Sequence, residues 1–215
     1  MFTNSNLFSF DEGIAKSGNI EIYYRDYGPA DGEPILLVQG IGGQLINWPQ
    51  HLIEFLIKNN FRPIVYDNRD TGLSSRIQND SFNKDNVNKT IIRNYIRYYL
   101  RLPIKSEYTI DDMADDGVSV LDHLNIENAH ILGISMGGMI AQIMASSYPE
   151  KTKTFTLIAS TASTPSPFNG PSKDVRRLFI ERTKNVDATI EDRVNRTKKL
   201  FKLIGYEGID LDTEE

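Results

Sequence analysis

The sharpest change of polarity pattern along the chain falls within residues 129–147. Ala129, His130, Ile131, Leu132, Gly133 and Ile134 form a short, mostly apolar run of strand length, the mark of a strand buried on both faces. Beyond Ser135, the residues Met139, Ile140, Ala141, Ile143, Met144 and Ala145 fall at a spacing that predicts a largely buried helix over 136–148, closed by Pro149. Upstream, residues 8–15 and 20–27 read as two strands around a turn at 16–19, an antiparallel hairpin for a sheet edge. The second alternates, with Ile20, Ile22 and Tyr24 on one face and Glu21, Tyr23 and Arg25 on the other. Short apolar runs at 35–38 and 62–66 predict parallel strands, separated by a helix over 48–58 with Leu52, Phe55 and Leu56 inward. Residues 79–88 are polar and read as exposed. A helical period follows over 90–102 and ends at Pro103. Thr109 then caps a helix running to Leu124, with Asp111 and Asp112 in its first turn and Met113, Val118, Leu121 and Leu124 as its apolar stripe. A strand at 154–159 precedes a connection rich in Ser, Thr, Pro and Gly at 160–171. Two charged amphipathic helices follow at 173–185 and 189–204, and the chain finishes on an acidic stretch at 210–215.

After the hairpin the order is strand, helix, strand, helices, strand, helix, strand, helices. That order predicts an α/β fold with a mostly parallel sheet, helices on both faces and right-handed crossovers. In such sheets chemistry gathers at the carboxyl ends of the strands. There the sequence places Gln39-Gly40-Ile41-Gly42-Gly43, then Asp67-Asn68-Arg69-Asp70-Thr71-Gly72, then Gly133-Ile134-Ser135-Met136-Gly137. The last is a G-x-S-x-G string between a strand and a helix. A turn that sharp brings strand end and helix start too close for a Cβ at Gly133 or Gly137. It pushes the Ser135 hydroxyl outward as a candidate nucleophile and aims the first helical N–H groups, led by Met136, at a developing oxyanion. The plainer reading is a Gly-Ser-Gly loop feeding a helix. For Asp67, Arg69 and Asp70 the plainer reading is preferred: a turn stitched by Asx bonds and an Arg–Asp pair, rather than an ion-pair network shaping a pocket floor.

Composition narrows the classes. The 215 residues, 40% apolar and 25% charged, suffice for one sizeable core. A net charge of −5 argues against nucleic acid or an anionic membrane as partner. The absence of cysteine excludes disulfides, thiolate catalysis and cysteine-ligated metal, and fits a cytoplasmic location. The N-terminus makes a poor signal peptide, no apolar run is long enough for a membrane span, and no Walker lysine or Gly-rich loop after the first strand suggests a nucleotide. No metal site and no cofactor are expected.

Three blocks, residues 39–48, 66–74 and 108–149, resemble the α/β-hydrolase family, closest to its esterases and lactonases of the anthracycline methylesterase kind. The resemblance covers 11–161. It implies an α/β-hydrolase fold with six of eight strands present, a core over 1–160, and a linker with a partial helical cap over 161–215. It also implies Ser135 as nucleophile, the backbone N–H groups of Met136 and Ile41 as oxyanion donors, and Gly40, Gly42 and Gly43 leaving room for substrate. The family's usual His-Gly is Gln39-Gly40 here, which changes how that loop is pinned.

A serine hydroxyl needs a base, and the base an orienting acid. In the family these follow the seventh and eighth strands, whereas no histidine lies beyond position 130 here. His51 and His123 read as ordinary helix residues, and His130 sits at the wrong end of its strand. Asp174, Glu181 and Asp187 read as solvated charges. The expectation is an incomplete serine hydrolase for an apolar ester or lactone, with an unpaired edge at 154–159 through which the chain self-associates. The rivals are an inactive hydrolase-fold binding protein and a half-enzyme completed by a partner chain.

Overall fold

Alternation along the strands decides what lies on each face of the sheet. In the computed structural model, which describes residues 9–77, part of 93–102, 106–162, 172–184 and 189–204, six strands are ordered β1-β2-β4-β3-β5-β6. β1 (Asp11–Ser17) and β2 (Ile20–Asp26) form an antiparallel hairpin whose pairing runs to Ser17 opposite Ile20. The turn is therefore only two residues, with Gly18 at φ 58°, and Lys16 and Ser17 extend the strand where the sequence predicts turn. β2 runs antiparallel to β4 (Phe61–Tyr66). β3 (Glu33–Val38) lies parallel between β4 and β5 (Ala129–Ile134), and β6 (Thr152–Ile158) is parallel to β5.

Ile35, Leu37, Val65 and Tyr23 face α1 (Gln50–Lys58), where they meet Leu45, Trp48, Ile53 and Leu56. Ile22, Leu36, Val38, Ile64, Tyr66 and Ile131 face the other way. Against them pack Met113 and Leu121 of α2 (Ile110–His123) and Ile140 and Met144 of α3 (Met136–Ser147). Burying one such aliphatic side chain contributes about 1.5–3 kcal/mol, so these two layers hold the sheet between them. Phe55 corrects the predicted stripe of α1. It is 61% exposed, because the buried face runs through Ile53 and Leu56 with Leu52 and Ile57 beside them.

From β3 the chain steps to β4 on one side; it later returns past β3 to β5 on the other. The carboxyl ends of β3 and β5 therefore flank a topological switch point, where α/β sheets open a crevice.

The chain divides into two compact units, Met1–Ala162 and Ser163–Glu215. In the second, α4 (Lys173–Lys184) and α5 (Ile190–Ile204) pack on each other. Thr189 starts α5 by accepting the Asp192 N–H on its hydroxyl oxygen at 3.1 Å. The predicted helix over 90–102 falls largely outside the described residues, and the polar stretch 79–88, most of the connection and the acidic end fall wholly outside. Among the described residues no helix is long and apolar enough to cross a membrane.

Candidate active site

Ser135 is the single residue between the last position of β5 and the first of α3, and it is exposed. Its φ of 54° and ψ of −119° lie in a region that costs an L-residue about 1–3 kcal/mol. The surroundings hold it there. Its N–H donates to the Ile158 carbonyl at 2.9 Å, and its own carbonyl accepts the Gly138 N–H at 3.0 Å. Backbone crosses backbone on both sides of it. A Cβ on Gly133 would run into the Gly137 carbonyl and come within 2.6 Å of the Gly138 nitrogen. A Cβ on Gly137 would strike the Val38 carbonyl and sit 2.8 Å from that of Gln39. Both glycines are thus required by packing. The N–H groups of Met136 and Gly137 precede the first bond of α3, at the helix N-terminus that directly follows Ser135.

The loop after β3 lies against the same serine. A Cβ on Gly40 would stand 3.1 Å from the Ser135 Cβ. Gly43 N–H closes a turn on the Gly40 carbonyl at 3.1 Å, with Gly42 in its third position at φ 68°, where glycine is favoured. Ile41 occupies the corner with its side chain 61% exposed. Two residues at the end of β4 pin this loop. Asn68 Nδ2 donates to the Gln39 carbonyl at 3.1 Å, and Asp67 accepts the Leu45 N–H on one carboxylate oxygen at 2.8 Å and the Leu73 N–H on the other at 2.9 Å. Gln39 itself is buried, its amide packed on Gly43. Asp67 and Asn68 therefore do more than stitch their own turn, a role the sequence reading missed. The available signal was their place at a strand end next to that loop.

Arg69 corrects the sequence reading more directly. Its partner is neither Asp67 nor Asp70 but Asp116 on α2, fully buried and held in a bidentate pair with two bonds of 2.7 Å. A third bond runs from Arg69 Nη2 to the Asp112 carbonyl at 2.8 Å. The Asp116 carboxylate raises the pKa of the guanidinium further. Asp70 instead accepts the Ile77 N–H at 2.7 Å. Tyr108 lies across the guanidinium, 5.3 Å from its ring centre. Burial first, then a hydrogen bond to Asp70, pushes the Tyr108 phenol up to about 12. Tyr66, fully buried beside this pair, has its hydroxyl pushed above its ordinary value by burial and by the Asp116 charge. That hydroxyl finds no partner among the described residues.

Among the described residues no hydrogen bond joins any of the chain's three histidines to Ser135. His51 is exposed on α1, and His123 ends α2 with its ring 5.6 Å from that of Tyr24. His130 bonds Thr154 Oγ1 at 2.7 Å and approaches Glu33 at 3.3 Å, near the amino end of β5. Five residue steps along the strand separate it from Ser135, about 16 Å. Ser160 is a second feature the sequence reading passed over. It follows Ala159, which has φ 48°, and packs on Gly138 with its buried hydroxyl unpartnered among the described residues. Gln142 ties this turn to α3 by donating to the carbonyls of Gly138 at 3.0 Å and Thr161 at 3.1 Å. Among the described residues no group of three or more His, Asp or Glu side chains is placed to hold a metal.

A mostly parallel α/β sheet with a strained serine at a strand–helix corner, faced by a glycine loop from the neighbouring strand, defines a class of fold. The sequence profile of the α/β hydrolase fold matches residues 33–201, and the chain belongs to that family. It is 26% identical to rhodomycin D methylesterase of Streptomyces peucetius over all of this chain and 65% of that protein. It is 28% identical to 3-oxoadipate enol-lactonase 2 of Acinetobacter baylyi over 73% of this chain and 47% of that one. Among solved structures, 2-hydroxy-6-oxo-6-phenylhexa-2,4-dienoate hydrolase of Rhodococcus sp. strain RHA1 shares the fold, with a TM-score of 0.64 at 17% identity over 91% of this chain and 58% of that one. The chain thus spans between about half and two thirds of the length of these curated relatives.

Proposed function

We propose that these 215 residues are the nucleophile-bearing part of a serine hydrolase that cleaves carboxylic esters or lactones. The observation that carries this reading is the backbone of Ser135, left-handed at φ 54° between β5 and α3 with Gly133 and Gly137 packed against neighbouring backbone. Ser135 Oγ attacks the substrate carbonyl and forms an acyl-enzyme. The N–H groups of Met136 and Ile41 hold the oxyanion, worth about 2.7–4 kcal/mol per donor in comparable sites. Gly40 and Gly42 keep the Ile41 side of the site open to substrate. An imidazole takes the serine proton, passes it to the leaving alkoxide, and then activates the water that releases the acid. Since no hydrogen bond joins any of the three histidines to Ser135, that imidazole comes, on this reading, from outside these residues. The relatives named as a methylesterase and an enol-lactonase support acyl transfer to water. The acyl or ring substrate is apolar, and a cytoplasmic setting goes with a cysteine-free chain.

A fluorophosphonate probe tests the reading. The expected result is slow labelling confined to Ser135 and absent from the S135A variant. Rapid one-to-one labelling would show a base within the chain and overturn the incompleteness. Failure of Ser135 to label at all would favour a hydrolase-fold protein without chemistry.

A further inference from the structure

Of the five residues from Gly40 to Gln44, three are glycine. Glycine loses more backbone freedom on ordering than any other residue. The bond from the Gly43 N–H to the Gly40 carbonyl is internal to this loop, so it shapes the turn without placing it. Placement comes from the two ends, and consecutive residues at the end of β4 hold both. Asn68 donates through Nδ2 at 3.1 Å to the carbonyl of Gln39, the residue before the loop. Asp67 accepts at 2.8 Å the N–H of Leu45, the residue after it. Between the two lies Ile41, whose N–H meets no acceptor among the described residues. Gly40 beside it lies against the nucleophile, where a Cβ would stand 3.7 Å from Ser135 Oγ.

The residues that grip the loop are themselves fixed. Asp67 donates its N–H to the Tyr23 carbonyl of β2 at 2.9 Å and accepts the Ser74 hydroxyl on its own carbonyl at 2.6 Å. Ser74 Oγ in turn accepts the Tyr23 N–H at 2.9 Å. The second carboxylate oxygen of Asp67 takes the Leu73 N–H at 2.9 Å. Gly72, at φ 53°, is needed beside it, because a Cβ there would fall on that carboxylate. Asn68 is buried, and its Oδ1 has no partner among the described residues. A buried acceptor left unmet lowers stability. An asparagine kept there in spite of that, with its one printed bond going to the loop, is poorly explained by stability alone.

We propose that Asp67 and Asn68 are positioning residues for acyl transfer: by holding the loop at both ends they keep the Ile41 N–H where the oxyanion forms. This holds only with Ser135 as nucleophile and Ile41 as donor, the reading proposed above. A donor lowers the barrier only if it is in place before charge develops. A glycine loop free at either end would not hold it there. Both residues are buried, and both act through the loop.

The phosphonyl adduct of Ser135 supplies the test. Ser135 Oγ displaces fluoride from a fluorophosphonate, and the phosphonyl oxygen takes the place of the oxyanion. With imidazole at one fixed concentration, N68L and D67N are each expected to label about ten- to a hundredfold more slowly than the unchanged chain. V120A, which removes buried volume from α2, is expected to label at the unchanged rate. All are compared where urea titration shows them folded, and either loop variant suffices if the other does not fold. Amide NMR of the adducts gives a readout that a loss of stability would not move. In the unchanged chain the Ile41 and Met136 amide protons both shift downfield on phosphonylation. In N68L and D67N the Met136 shift is kept and the Ile41 shift is lost. An Ile41 amide that stays put in the unchanged adduct would overturn the positioning role while leaving Ser135 as nucleophile. So would loop variants that keep both the rate and the Ile41 shift, or equal slowing by V120A. An unchanged chain that never labels would remove Ser135 as nucleophile, and the positioning role with it.

Discussion

Taking the Asp116 carboxylate and the Arg69 guanidinium out of water costs several kcal/mol per ion, and only the bidentate geometry between them offsets it. Removing one partner strands the other. D116A is expected to lower the unfolding free energy by about 3–5 kcal/mol in urea titrations, whereas the double variant R69M/D116L recovers most of that loss. Additive losses would show that the two side chains are not coupled. This pair also marks the limit of what the sequence displays at this scale. Ser135, Gly133 and Gly137 are legible because their reasons are local: a turn that tight makes demands on the residues within it. Arg69 and Asp116 lie 47 positions apart, and Asp67 reaches Leu45 from 22 away, so their partnership exists only once the sheet brings α2 and the β3 loop together. The one cue to Asp116 was an acid on the buried face of α2, three residues past Met113 and four before Val120.

Periodicity served best where an element is apolar and bounded by hard stops. β5 occupies 129–134 as its apolar run predicts, and α3 ends one residue before the expected 148, ahead of Pro149. It served less well where the boundary depends on pairing or on a helix's rotation, as at Lys16 and Ser17 in β1 and at Phe55 in α1. The start of α2 was legible because capping is local chemistry. The Thr109 hydroxyl oxygen accepts the Asp112 N–H at 3.3 Å, and the Asp112 carboxylate accepts the Thr109 hydroxyl at 2.8 Å and its N–H at 2.6 Å. Those bonds to Thr109 hold the Asp112 carboxyl below its ordinary range. A depressed folded pKa contributes stability above the unfolded value, near 3.8, and loses it as pH falls through the folded one. The stability difference between the unchanged chain and D112N, measured by urea unfolding, is therefore expected to be flat above about pH 5 and to shrink below about pH 4. At neutral pH T109A should cost about 1 kcal/mol. A difference that grows on acidification would show that the carboxylate does not favour the fold.

For the molecule as a whole, the sheet brings the loop after β3 against Ser135, and no hydrogen bond joins a histidine to that serine among the described residues. The expectation of a base from elsewhere was legible in the sequence, because three histidines can be tracked one by one. If the base of Ser135 comes from outside these residues, as proposed, the serine should accept one from solution. A tethered base acts at an effective concentration of roughly 10⁵–10⁸ M, so dissolved imidazole at about 0.1–1 M restores a small part of the lost rate. Fluorophosphonate labelling of Ser135 is expected to rise in proportion to imidazole concentration. It should also rise with pH through the imidazole pKa, since only the neutral ring accepts the serine proton. S135A should show no labelling at any imidazole concentration, which separates catalysis at the serine from direct attack of imidazole on the probe. A Ser135 that labels at a rate independent of imidazole would mean that a carboxylate or another group of this chain already serves it.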